Sequence, residues 1–190
     1  MELPLRHLDI GFEWILKDKD HFKKLKAPDQ GFGHYTLEID DIDQDFISWL
    51  NDNDLDIKMA EIFWIPPGET VPVHSDEIDT PGACKLNWGY SDQGVFMDWY
   101  EKYQGAEIKK EWNTIGGYYL TCDEEYLDLV WTKALRKPSL VNIGEMHGAV
   151  NHSDEDWWIV CTVLKGLGSD QHRVEWDKIL EILGKYERTV

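Results

Sequence analysis

KMAEIFWIPPGETVPVHSD, residues 58–76, decides how this chain folds. Lys58–Ile65 reads as a β-strand, and Pro66-Pro67-Gly68 stops it with a turn. Thr70–Ser75 reads as the next strand. On a strand, residues i and i+2 point to the same face, so His74 and Asp76 project together into whatever that face encloses. One imidazole and one carboxylate are two parts of the 2-His-1-carboxylate facial triad that holds non-haem Fe(II) with open positions. The third ligand must come from elsewhere in the chain.

The candidates lie in Gly144-Glu-Met-His147-Gly-Ala-Val-Asn-His152. His147 precedes small residues that run into the strand-like pair Ala149-Val150, which suits the mouth of a barrel. His152 is the competitor, but it sits in the polar run Asn-His-Ser-Asp-Glu-Asp, an exposed turn by composition. His7, His21, His34 and His172 lie in polar or terminal contexts. An isolated His-x-Asp is most often a surface histidine beside an acid. The combination of Pro-Pro-Gly, Val-Pro-x-His-x-Asp and a distant Asn-x-Gly-x-x-His is far more specific. His147 is therefore the expected third ligand.

Outward from this stretch, Cys84–Trp88 and Val95–Tyr100 read as strands around the turn-forming Ser91–Gly94, and Gly117–Thr121 as another. Tyr126–Leu135 fits either helix or strand. Leu140–Ile143, His147–Asn151 and Trp157–Leu164 read as late strands. Asp41–Leu50 has a rough helical period with acids in its first turn, and Asp170–Tyr186 is a second helix. Residues 1–35 hold no clear period. Short strands with turns between them, and helices at both ends packed on one outside face, fit a mainly β jelly-roll barrel of the cupin type. The expected organisation is one domain over 1–190: a β-helix core at 58–165, helical or irregular support at 1–57 and a C-terminal helix at 166–190.

The net charge of −18 opposes binding to nucleic acid, which needs cations to displace counterions, and to anionic membranes. A small molecule or a peptide is the expected partner. Acidic clusters such as Asp123-Glu124-Glu125 favour a basic substrate only weakly, since an acidic surface mainly keeps a protein soluble. The start lacks a basic segment followed by an apolar one, no apolar run reaches membrane-spanning length, and the three cysteines (Cys84, Cys122, Cys161) are widely spaced. A cytoplasmic setting with reduced thiols is expected. No motif sets an oligomeric state.

Five stretches together resemble the 2-oxoglutarate- and Fe(II)-dependent dioxygenases, especially small aspartyl/asparaginyl-hydroxylase-like proteins of bacteria and phages. They are Pro66-Pro67-Gly68, Val71–Asp76, Lys85-Leu86-Asn87, Asp98-Trp99-Tyr100 and Asn142-x-x-x-x-His147-x-x-x-Asn151-x-Ser153. The resemblance covers residues 58–165. It implies a double-stranded β-helix, iron ligands His74, Asp76 and His147, and hydroxylation of a C–H bond with 2-oxoglutarate as cosubstrate.

One part of the family pattern is missing. An Arg that binds the far carboxylate of the cosubstrate is expected about ten residues after His147, where this chain has Trp157. Lys85 is the expected substitute if its face is the barrel interior, because a buried lysine needs an anion. Alternation equally allows Cys84, Leu86 and Trp88 to fill the core while Lys85 meets solvent. Asn87, Tyr100 and Tyr118 are candidates to add hydrogen bonds. Two other readings follow from the departure: a metal-binding cupin-type enzyme that does not use 2-oxoglutarate, and a β-barrel that keeps the fold without catalysis.

Overall fold

The turn at Pro66-Pro67-Gly68 forms as its composition requires. Gly68 has φ of 78°, and the Glu69 amide donates to the Pro66 carbonyl at 3.1 Å, a proline-led turn that needs glycine at its third position. The structure is a computed structural model and describes residues 3–76, 83–112, 118–136, 138–169 and 173–188. Along it run β1 (Leu5–His7), β2 (Gly33–Leu37), α1 (Gln44–Asp52), β3 (Leu55–Ile65), β4 (Thr70–His74), β5 (Cys84–Tyr90) and β6 (Val95–Lys102). Then follow β7 (Lys109–Trp112), β8 (Tyr118–Thr121), β9 (Leu127–Leu135), β10 (Ser139–Asn142), β11 (Met146–Val150), β12 (Trp157–Gly166) and α2 (Trp176–Leu183).

The pairing defines the architecture. β6 pairs with β9, β5 with β10, β4 with β11 and β3 with β12, all antiparallel. This is one long double-stranded ribbon. It is wound so that its strands alternate between two sheets, β1-β10-β5-β12-β3-β2 and β4-β11-β6-β9. The cross-pairings β12–β5 and β11–β6 close the winding. The fold is a double-stranded β-helix, as expected from the sequence. β7 and β8 form a separate hairpin between β6 and β9.

Two cores follow from the winding. Between the sheets lie Ile65, Val71, Met97, Trp99, Trp157 and their neighbours. On the outer face of the larger sheet, Leu86 and Trp88 pack against Phe46 and Leu50 of α1 and Ile179 and Leu183 of α2. Both helices therefore cover one outside face. Each such side chain contributes about 1.5–3 kcal/mol when fully buried. All seven residues of β5 are buried, because this central strand is covered on both faces.

Helix limits differ from the sequence reading. α1 begins at Gln44, not Asp41, because the Asp43 side chain caps it by accepting the Asp45 amide at 2.8 Å. α2 begins at Trp176: Arg173 and Val174 lie extended along the end of β12, where the Val174 amide donates to the Leu164 carbonyl. Residues 170–172 and Gly117 lie outside the described residues. Tyr126–Leu135 resolves into a short 3-10 turn and strand β9. No helix among the described residues is long and apolar enough to cross a membrane.

Candidate metal centre

β4 ends at His74 and β11 begins at Met146, and their antiparallel register sets His147 directly opposite His74. The two imidazoles lie 4.4 Å apart, centroid to centroid. Asp76 follows β4 by two residues, its backbone amide donating to the Ile143 carbonyl, and its Oδ1 stands 3.7 Å from His74 Nε2. One ligand atom from each of His74, Asp76 and His147 falls within 4.8 Å of the others. An ion about 2.1 Å from each donor would hold neighbouring donors about 3 Å apart, so modest side-chain shifts bring the set to bonding distance.

The donor set suits a divalent ion in protonation as well as position. His74 Nδ1 donates to the Pro72 carbonyl at 2.7 Å, and His147 Nδ1 to the Glu145 carbonyl at 2.9 Å. Each bond fixes the tautomer that leaves Nε2 with a free lone pair, the outer contact typical of ligating histidines. Burial, reinforced by His74, holds the His147 imidazole down to about 3, so it stays neutral. Burial alone would raise Asp76, but the Lys85 ammonium beside it outweighs that and keeps the carboxylate ionised.

Lys85 is inside, contrary to the alternative that alternation allowed. Cys84, Leu86 and Trp88 do fill a core, but it is the outer one beneath the helices. The other face of β5 turns to the space between the sheets, and Lys85 is 6% exposed there. The anion it needs is already present. Lys85 Nζ lies 2.8 Å from Asp76 Oδ2 and 3.2 Å from Glu61 Oε2. The first contact is an ion pair not aligned as a hydrogen bond; the second is aligned. Glu61, 2% exposed on β3, also faces His34 Nε2 at 3.6 Å. Burial raises Glu61, but Lys85 and His34 prevail and bring it down to about 2. Sequence reasoning missed Glu61. The available signal was an acid within the apolar run Ala60–Ile65, which has to find a cation if its face is buried.

The remaining candidates are not gathered at the centre. Asn87 shares the inner face of β5, but among the described residues its Nδ2 reaches only Met97 Sδ at 4.0 Å and its Oδ1 has no hydrogen-bond partner. Tyr100 lies on the face of β6 opposite Met97 and Trp99, near Asp98 and Glu124. Tyr118 is on the β7–β8 hairpin beneath Lys110. Its neighbour Tyr119 meets the His74 ring edge-to-face at 5.5 Å, a contact the sequence did not suggest. His152 is exposed and lines a groove of about 390 Å³ with Phe96, Leu129 and the edge of Trp157, apart from the His74–Asp76–His147 cluster. Trp157 is buried in the inner core, and its Nε1 has no hydrogen-bond partner among the described residues. The place in the sequence where the resemblance implied an Arg is thus taken by a core aromatic. Arg173 sets a guanidinium beside Asp76. Its Nη1 donates to the Asp76 carbonyl at 3.4 Å, and it has no carboxylate partner among the described residues.

Fold and donor set together define a double-stranded β-helix protein with a candidate His-Asp-His metal centre. No protein-family model matches the chain, and no curated protein matches it. Among solved structures it is similar to an uncharacterized conserved protein with a double-stranded β-helix domain from Klebsiella pneumoniae, at 13% identity over 81% of this chain and 93% of that one, TM-score 0.39. It is similar to Peruvianin-I, a cysteine peptidase from Thevetia peruviana latex, at 14% identity over 76% of this chain and 69% of that one, TM-score 0.36. It is also similar to oxalate decarboxylase from Bacillus subtilis, at 10% identity and TM-score 0.37; 85% of this chain is covered, but only 32% of that one. These likenesses are distant, and the fold assignment rests on the strand order itself.

Proposed function

We propose that the chain is a mononuclear non-haem Fe(II) oxygenase that hydroxylates a small molecule or a peptide side chain with 2-oxoglutarate as cosubstrate. The observation that carries this reading is the facing of two Nε2 lone pairs and one ionised carboxylate across the β4–β11 register. A bound Fe(II) supplies the oxygen chemistry; the chain supplies position and charge. His74 and His147 present fixed tautomers. Asp76 brings the negative charge. Tyr119 and the hairpin stand beside His74 and limit access on that side. Arg173 offers a cation close to Asp76 for an anionic group of the cosubstrate or substrate.

A second reading has a specific observation in its favour. Lys85 is already neutralised by two acids and Trp157 fills its position with an apolar ring, which suits a metal-dependent enzyme of the same fold that does not take 2-oxoglutarate. Anaerobic titration separates the two. Fe(II) followed by 2-oxoglutarate should give a weak visible charge-transfer band in the wild type and none in His74→Ala. Iron uptake without that band would leave the second reading. Absence of metal uptake in the wild type would sink both and leave a non-catalytic barrel.

A further inference from the structure

The geometry points to Lys85 and Glu61 as an anchor that restricts Asp76 to a single oxygen at the metal centre, an inference that rests on the metal-binding reading above. Asp76 divides its carboxylate. Oδ1 faces His74 Nε2 at 3.7 Å, while Oδ2 is held by Lys85 Nζ at 2.8 Å. Chelation of an ion through both oxygens would require Oδ2 to swing away from that ammonium. Lys85 cannot follow it freely, because Glu61 holds the same nitrogen at 3.2 Å from β3.

Strand register fixes both members. Glu61 stands opposite Cys161 of β12, and Lys85 opposite Val163 of the same strand. Lys85 and Glu61 therefore point into one interior space from the two neighbours of β12. His34 adds a further support, its Nε2 3.6 Å from Glu61 Oε1 and its ring stacked on Phe63 at 4.3 Å. The middle members of this series, Glu61 and Lys85, are buried, with side-chain exposures of 3% and 8%, where an unpaired charge is costly.

The consequence is a coordination count. Two imidazoles and one carboxylate oxygen leave three positions of an octahedral ion open; a chelating Asp76 would leave two. Three open positions are needed when a chelating cosubstrate and a second small ligand bind together. Glu61 has a distinct part. It cancels the charge of Lys85, so the ammonium does not oppose a divalent ion nearby. Lys85 is thus a positioning residue acting through Asp76. A role as direct ligand of a cosubstrate would require it to leave both acids.

Mn(II) is the probe. Its affinity can be titrated, and the water-proton relaxation rate of the bound ion reports how many waters it carries. Four proteins are compared: wild type, Glu61→Gln, Lys85→Met and the double variant Lys85→Met/Glu61→Gln. The double variant removes Lys85 and Glu61 together, so Glu61 is not left as an unpaired acid, and Asp76, which loses its ammonium, is paired by the Mn(II) itself. Glu61→Gln is expected to weaken Mn(II) binding about tenfold or more, because the uncancelled Lys85 ammonium then opposes the divalent ion. The double variant is expected to bind Mn(II) more tightly than wild type, with relaxation enhancement lowered by about a third as one of three waters is displaced. Wild-type affinity and relaxation in the double variant would overturn the anchor while leaving the metal centre intact. A wild type that takes up no Mn(II) would overturn the metal-centre reading itself, and the anchor with it.

Discussion

Replacement of Asn151 by alanine tests whether the far end of β11 is held by one side chain. Asn151 is fully buried. Its Nδ2 donates to the carbonyls of Ile65 and Glu155, both at 2.7 Å. Its Oδ1 accepts from the Ser153 amide at 3.0 Å and the Ser153 hydroxyl at 2.7 Å. All four hydrogen-bonding positions of the amide are used. Alanine strands the buried Ile65 carbonyl, costing about 1–3 kcal/mol, and removes partly solvated bonds at about 0.5–1.5 kcal/mol each. The Ser153 hydroxyl can still donate to the Glu155 carbonyl at 3.1 Å, which recovers part of the loss. The expected total is about 3–4 kcal/mol, a large share of the roughly 5–15 kcal/mol that stabilises a domain. Urea unfolding of the metal-free protein, followed by tryptophan fluorescence, should show the midpoint falling with an unchanged slope. The backbone of Asn151 also ties the turn before β4: its amide donates to the Glu69 carbonyl, and its carbonyl accepts from Gly68. Metal affinity should therefore fall several-fold in the same variant, although no ligand is touched. A loss below about 1 kcal/mol would refute the reasoning, because the stranded carbonyl alone demands that much.

Three further outcomes are expected. His147 has its folded-state value lowered to about 3 from 6.5, so between those limits the unfolded chain binds a proton that the folded chain does not. In chelator, stability should fall as pH drops from 6.5 to 5, this residue's share steepening from about 0.7 toward about 1.4 kcal/mol per pH unit; Glu61 and Asp76, also depressed, contribute only at lower pH. His147→Gln should flatten that slope in urea titrations, and an identical slope would rule the argument out. Gly148→Ala places a Cβ 3.0 Å from the Val71 carbonyl and 3.5 Å from the Val73 Cα, forcing β4 from β11; about 1–3 kcal/mol of stability and part of the metal affinity should be lost together, and thermal unfolding beside a metal titration checks both. Cys84, Cys122 and Cys161 are buried with their thiols pushed up by burial, Cys84 to about 12, so an aromatic disulfide reagent should react with them only as fast as the protein opens; rapid labelling of any one in the native state would contradict its placement.

The hairpin around Gly68 and the shared face of His74 and Asp76 were legible because both are local: a proline-glycine turn and a two-residue spacing. His147 was legible because small residues beside it distinguish it from His152 in its polar run. The partners of Lys85 were not. Glu61 meets it across β12, and no spacing in the chain expresses that meeting. Alternation along β5 pointed Leu86 and Trp88 to a core but left Lys85 open between interior and solvent, since it does not reveal that a strand is covered on both faces. β2 and β7 escaped notice for a different reason. Gly33–Leu37 is a short edge strand whose pairing with β3 supplies its order, and Lys109–Trp112 is exposed throughout and paired only with β8.

The position of the β7–β8 hairpin bears on how firmly the centre is preset. β4 carries His74, a candidate ligand, at its very end, where a strand normally frays. Here that end is gripped from two sides. β11 pairs with it through His147, and on the other side Ser75 exchanges two backbone hydrogen bonds with Leu120 at 2.8 and 2.9 Å. The Thr121 hydroxyl adds a bond to the Val73 carbonyl at 3.0 Å, and the Tyr119 ring lies against His74. An ion entering the centre therefore meets imidazoles that are already oriented, and little ordering entropy remains to oppose binding.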